Sequence, residues 1–360
     1  MNKVNNGFIA VHVGAGQHSD RLKDKYINLC KEACRKGIEK LHEGGGPLEA
    51  VVDATVILEN SELTNAGYGS NLTFDGKVEC DASVMDGSNL HFGAVGAVSG
   101  IKNPIVVAKQ LCERQRLNIS HGRIPPSFLV GSGAKTWADE LGIETIPPND
   151  LISVKAEKVY KHYKRKVENH SSEIERITKK RLDTVGAVCV DESGNIASAC
   201  SSGGIILKHS GRVGQAGVWG CGAWAEKGKN SVGVSTSGCG EHLIKTTLAR
   251  TIADAISNTE CPITSFHASM KNDFLDSKFL SALEQKMGGA IAIRYMSEEK
   301  IGDLLWSHST NTMIIGYMNS TEKTAVSHMS TLPEAVVGEK AVVEGICFRL
   351  SPGQEISKSS

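Results

Sequence analysis

A threonine that opens an apolar, strand-like run directly after an aspartate can do chemistry that most threonines cannot. Thr184 is placed this way, with Asp183 before it and the run Val185 to Val190 after it. A hydroxyl is a weak nucleophile at neutral pH unless a base stands beside it. Cutting the Asp183–Thr184 bond would put that base on the same residue, as a free α-amine with a pKa of about 8. An isolated Asp-Thr pair is more often an ordinary loop-to-strand junction. Here a dense series of Gly, Ser and Thr follows: Ser201-Ser202-Gly203-Gly204, Gly211-Arg212-Val213-Gly214, then Ser235-Thr236-Ser237-Gly238-Cys239-Gly240. That series favours a site over a junction.

The elements that must position these residues come from both halves of the chain. Phe8 to Val13 reads as a buried strand ending at Gly14-Ala15-Gly16. Helical periodicity runs from Tyr26 to His42 and stops at Gly44-Gly45-Gly46; Pro47 opens a second helix to about Glu59. Strand-like pieces follow at Val78 to Met85 and Phe92 to Val98. A helix from Asn103-Pro104 to about Leu117 comes next, then short elements at Ser127 to Val130 and Ala134 to Leu141. After Pro147-Pro148 the composition shifts. Lys155 to Arg181 is charged, carries no sustained apolar stripe, and reads as exposed and mobile. Beyond Thr184 the pattern turns to strands at Val185 to Val190, Ile196 to Cys200 and Val232 to Ser235. A helix is expected over Glu241 to Ser257, and strands at Gly288 to Tyr295, Asp303 to Ser309 and Met313 to Met318. Strands and helices from both halves imply one layered α/β domain rather than two independent ones.

Forty basic and forty acidic residues balance, so no global field favours nucleic acid or an anionic membrane. No run approaches the ~18 apolar residues of a spanning helix. The ten cysteines show no CxxC and no zinc-finger spacing. Cys30 and Cys34, four apart on a helix, suit small buried packing better than a two-ligand metal site. Reduced thiols point to the cytoplasm or nucleus. The clusters Lys161-His162-Tyr163-Lys164-Arg165-Lys166 and Lys179-Lys180-Arg181 are spaced like a bipartite nuclear-import signal, and equally like a solvated charged helix.

The ordered motifs, together with His12 to Gly16, Asn65-Ala66-Gly67 and Cys80-Asp81-Ala82-Ser83-Val84-Met85-Asp86-Gly87, resemble the type 2 asparaginase family. This is a branch of the N-terminal-nucleophile hydrolases. The resemblance implies a four-layer αββα sandwich and self-cleavage at Asp183–Thr184. Residues 1–183 would form an α subunit, including the charged stretch 155–181, and residues 184–360 a β subunit. It implies Thr184 as nucleophile, Ser202 as a hydroxyl bonded to it, and Ser237 and Gly238 as oxyanion donors. Arg212 would clamp a substrate carboxylate with its planar fork, and Asn65 would lie in a turn near the scissile bond. The loop Leu58 to Tyr68 resembles one that holds sodium through carbonyls in relatives. No cofactor is expected, because nucleophile, base and oxyanion donors are all protein groups.

Within the family the chain most resembles the threonine aspartase branch (taspase), which cuts proteins after aspartate. The likeness lies around Gly211 to Ala216 and Ser235 to His242. It extends to Ile101-Lys102-Asn103-Pro104, Gly122-Arg123-Ile124-Pro125-Pro126 and Leu305-Trp306-Ser307-His308. Small-substrate asparaginases carry aspartate where this chain has Gln215. A neutral Gln forfeits an ion pair with a substrate ammonium but can bond a backbone amide. The expectation is therefore an endopeptidase cutting after aspartate in the nucleus and cytoplasm. Its implied substrates are trithorax-type methyltransferases and a general transcription factor subunit, with the two halves possible partners in a heterotetramer. One of Arg21, Lys23 and Lys25 would assist the carboxylate. The alternatives are a small-substrate asparaginase or isoaspartyl peptidase, and a scaffold that never matures.

Overall fold

The structure, a computed structural model, describes residues 5–117, 120–169 and 183–350. The second basic cluster, Lys179 to Arg181, lies outside them. Two sheets dominate. The larger takes strands in the order β12 (Val326–Thr331), β11 (Thr312–Asn319), β1 (Gly7–Gly16), β5 (Val185–Asp191), β6 (Ile196–Ser202), β2 (Cys80–Asp86), β3 (His91–Val98) and β4 (Phe128–Val130), and the smaller β13 (Val342–Arg349), β10 (Ile301–His308), β9 (Gly288–Met296), β8 (Asn230–Gly238) and β7 (Ala223–Glu226). Strand β1 (Gly7–Gly16) pairs antiparallel with β5 (Val185–Asp191) and with β11 (Thr312–Asn319). Every residue of β1 is buried, because both faces of its sheet are covered. Ile9, Val11 and Val13 enter the core beneath α1 (Lys23–His42) and α2 (Pro47–Glu59). Phe8, Ala10 and Ala15 enter the core shared with the smaller sheet. Helices Leu248–Ser257 and Pro262–Ser269 close the far side of that sheet. The layers therefore run helix, sheet, sheet, helix: the four-layer αββα sandwich. Covering both faces also explains why these strands read as continuous apolar runs rather than alternating ones.

Local signals set several boundaries. Pro47 occupies the first position of α2, where a missing N–H costs nothing, and Glu49 accepts the Gly46 N–H at 3.0 Å. The β5–β6 hairpin turns through Asp191, whose Oδ1 accepts the N–H groups of Ser193 and Asn195, each at 2.9 Å. The cysteines Cys30 and Cys34 pack inside the core, and burial pushes the Cys30 thiol up to about 12. No helix among the described residues is long and apolar enough to cross a membrane.

Two expectations need correction. The helix expected over Glu241 to Ser257 is two, Gly240–Lys245 and Leu248–Ser257, broken at Thr247 with φ +43°. The Thr246 hydroxyl donates to the His242 carbonyl at 2.9 Å, the local competition that weakens threonine inside helices. The charged stretch holds an ordered helix, α5 (Val154–Glu168), capped by the Ser153 hydroxyl accepting from Ala156 N. Polar tethers replace an apolar stripe. Lys155 donates to the carbonyls of Glu62 and Leu63, while Tyr160 and Lys164 both donate to the Phe74 carbonyl. Periodicity counts apolar residues and is blind to such anchoring. The first basic cluster, residues 161–166, lies on this helix.

Candidate active site

Sheet register builds the centre of the site. Val185 pairs with Ser201, so Thr184, one residue earlier, stands beside Ser202. His12 pairs with Gly186, which brings the Gly14-Ala15-Gly16 end of β1 against the Asp183–Thr184 bond. A Cβ on Gly14 (φ +122°) would stand 2.7 Å from Asp183 Cα, so only glycine lets β1 approach this closely. The smaller sheet supplies the floor. A Cβ on Gly186 would lie 2.0 Å from Ser235 Oγ, so the missing side chain lets the two sheets meet directly beneath Thr184.

Thr184 is almost fully buried and completely engaged. Its hydroxyl donates to Ser202 Oγ at 3.0 Å and accepts from Gln215 Nε2 at 3.2 Å. Its backbone N–H donates to Ser237 Oγ at 3.3 Å, and Ser237 Oγ also accepts from Ala15 N at 2.8 Å. Ser202 Oγ takes a second proton from Gly204 N at 3.0 Å. Six of the anticipated residues, Asn65, Thr184, Ser202, Arg212, Gln215 and Gly238, line one small cavity. Ser237 reaches Thr184 from below, and its side chain holds the nitrogen that cleavage would free. Gly238 adopts φ +143°, at the end of β8 (Asn230–Gly238). Asp183 lines an adjoining cavity with Thr64, Asn65 and Lys155, and its Oδ1 lies 3.6 Å from His18 Nε2.

Arg212 is held from one side. Its Nε and Nη2 donate to the two Glu241 carboxylate oxygens at 2.9 and 2.7 Å. Nη1 is buried and without a hydrogen-bond partner among the described residues. Gly204 lines the same cavity, and a Cβ on it would stand 3.0 Å from Nη1, so an acceptor in the cavity would reach this donor. The Asn65 amide is spent on the fold: it donates to the Gly204 carbonyl at 2.8 Å and accepts Asn71 N at 2.8 Å. Arg21, Lys23 and Lys25 are all exposed and none lines this cavity. In the loop Leu58 to Tyr68, the carbonyls of Ser61 and Thr64 converge on Gly69. The Thr64 hydroxyl donates to the Leu58 carbonyl at 2.7 Å and to the Ser61 carbonyl at 3.1 Å, which braces the turn carrying Asn65.

Several contributors escaped the sequence reading. Glu241 and Arg212 are 29 residues apart, with no local pattern to link them. His12 Nε2 lies 2.9 Å from Ser235 Oγ. Burial outweighs the opposing Thr184 backbone contact and pushes this imidazole down to about 3, so it is neutral at working pH. Asp81 was visible only as part of a motif. Its carboxylate accepts the N–H groups of Ala97 and Gly214, each at 2.8 Å, tying the Arg212 turn to β2 (Cys80–Asp86).

The geometry stands beside clear similarities to known proteins. The family described as Asparaginase matches residues 5–328. A Xenopus laevis protein named isoaspartyl peptidase/L-asparaginase is 35% identical over 306 residues, covering 85% of this chain and 90% of the relative. The human protein of that name is 39% identical over 248 residues, covering 68% and 75%. An isoaspartyl peptidase from Salmonella typhimurium is 37% identical over 259 residues, covering 69% and 79%. These names overturn the expectation of an endopeptidase that cuts protein substrates after aspartate, and match the alternative reading instead. The physical weakness of that expectation lies at Gln215. Its amide nitrogen serves the Thr184 hydroxyl, so its identity does not require a polypeptide substrate. The chain belongs to the type 2 asparaginase family of N-terminal-nucleophile hydrolases.

Proposed function

We propose that the chain is a threonine amidohydrolase that opens the side-chain amide of L-asparagine or the isoaspartyl bond of a β-aspartyl peptide. The observation that carries this reading is Thr184. Its hydroxyl lies between a donor, Gln215, and an acceptor, Ser202, while its nitrogen rests on Ser237 within hydrogen-bond reach. In the first step the Thr184 hydroxyl attacks the Asp183 carbonyl, and water opens the ester, leaving residues 1–183 and a new N-terminus at Thr184. The freed α-amine, with a pKa of about 8, then accepts the hydroxyl proton. Thr184 Oγ attacks the substrate side-chain carbonyl. The leaving ammonia or amine takes the proton back, and water hydrolyses the resulting ester to aspartate. Gly238, which lines the same cavity as Thr184, would supply a backbone N–H to the oxyanion. The buried Nη1 of Arg212, without a hydrogen-bond partner among the described residues, would take the substrate α-carboxylate.

The test is a gel and two assays. Purified protein at neutral pH should resolve into two fragments meeting at Asp183–Thr184, and release ammonia from L-asparagine or glycine from β-aspartylglycine. Thr184→Ala should remain one chain and be inactive. Cleavage of Thr184→Ala at the same bond by purified protein, or no turnover of either substrate by the cleaved wild type, would refute the reading.

A further inference from the structure

Lysine is seldom fully buried unless it is paired, yet Lys208 is 2% exposed. Among the described residues its ammonium makes one hydrogen bond, to the Glu79 carbonyl at 2.8 Å. The neighbourhood shows what else it faces. A Cβ on Gly204 (φ +74°) would stand 3.0 Å from Arg212 Nη1 and 3.1 Å from Lys208 Nζ. The two cations are therefore no more than about 6 Å apart, across a residue that itself lines the cavity. Behind them lies Asp81. A Cβ on Gly214 would be 2.9 Å from Arg212 Nη1 and 3.5 Å from Asp81 Oδ2. Arg212 thus sits between two carboxylates, Glu241 on its fork and Asp81 behind Nη1. With those three groups alone the cluster would carry a net negative charge and repel an incoming carboxylate.

We propose that Lys208 is the second cation of the carboxylate pocket, a specificity-determining residue that offsets Asp81 and leaves the Arg212 charge to the substrate. Burial pushes the Asp81 carboxyl up, and Lys208 is the largest of the groups opposing that rise, ahead of the Ala97 and Gly214 N–H groups and Arg212. Lys208 acts through Asp81 and Arg212 rather than by touching the reacting atoms, so it is a positioning residue. The inference rests on the reading of the substrate as an aspartyl compound with a free α-carboxylate.

The experiment compares β-aspartylglycine with the same dipeptide whose aspartyl α-carboxylate is a carboxamide, following glycine release by self-cleaved protein. Lys208→Met should lower kcat/KM on the carboxylate substrate about ten- to a hundredfold, chiefly through KM, and change the carboxamide only a few-fold. Lys208→Arg should keep most of the preference. Equal losses on the two substrates would make Lys208 a structural residue and overturn the proposal, as would no loss. Asp81→Asn provides an independent reading should Lys208→Met fail to fold. It should lower KM for the carboxylate substrate alone, and a change shared by both substrates, or none, overturns the proposal. If wild-type protein cleaves neither dipeptide, the functional reading fails only if L-asparagine is not hydrolysed either, and calorimetry with L-aspartate still decides this proposal. Binding at least about tenfold weaker to Lys208→Met supports it. Equal affinity, or no binding to wild type, rejects it.

Discussion

Glu59 offers a prediction whose size follows from the structure. It ends α2 fully buried, with Oε1 accepting from the Ser201 hydroxyl at 2.6 Å and Ile105 N at 3.1 Å, and Oε2 accepting from Asn103 Nδ2 at 3.1 Å. It therefore braces the strand residue next to Ser202. Burial, only partly opposed by those three donors, pushes its carboxyl from the usual 4.5 to about 7. The native state thus holds this proton more tightly than the unfolded chain does. Between pH 4.5 and about 7 the native state binds more protons, so stability falls as pH rises through that window. The full span is worth about 3 kcal/mol at ~1.4 kcal/mol per pKa unit. Glu59→Gln removes the titration. Its carbonyl oxygen can still accept from Ser201 and Ile105, and it loses only the bond from Asn103, which keeps Asn60 as a partner at 3.1 Å. The lost bond costs about 1 kcal/mol. The variant should then be about 1 kcal/mol less stable at pH 4.5 and about 2 kcal/mol more stable at pH 8, so the two curves cross. Urea unfolding of the Thr184→Ala form, with and without Glu59→Gln, avoids the two fragments that self-cleavage would give. Parallel stability curves across pH 4.5–8 would show that Glu59 does not titrate in this window and refute the reasoning.

Two further outcomes concern the pocket. Arg212→Ala removes a buried charged partner worth about 2–5 kcal/mol, so kcat/KM for L-asparagine should fall about thirtyfold to several thousandfold. Arg212→Lys should recover little, because a point charge does not replace a fork; full activity of Arg212→Ala would remove Arg212 from the pocket, and full activity of Arg212→Lys would reject the need for the fork. Gln215→Asp supplies a negative partner for a substrate ammonium but loses the N–H that Thr184 Oγ accepts. It should lower KM for L-asparagine and lower kcat together, and steady-state kinetics showing neither change would contradict the role assigned to Gln215.

Much of the layered architecture is legible from local pattern. Continuous apolar runs at Phe8 to Val13 and Val185 to Val190 mark strands buried on both faces, and Pro47 with the preceding glycines sets the start of α2. The reading of Thr184 as nucleophile also comes from the sequence, because that chemistry needs only this residue and the bond before it. Propensity and periodicity act over a few residues, so they reach this far and stop. The charged helix α5 escapes them because its anchors are carbonyls of Glu62, Leu63 and Phe74, contributed by a distant loop. The break at Thr247 escapes because apolar spacing continues across it. Above all, the electrostatics of the pocket belong to the tertiary structure. Glu241 on Arg212, Asp81 behind it, and Lys208 across Gly204 come from a helix, a strand and a loop that meet only once the two sheets are stacked. Charge pairing depends on distance in space, and no spacing along this chain encodes it.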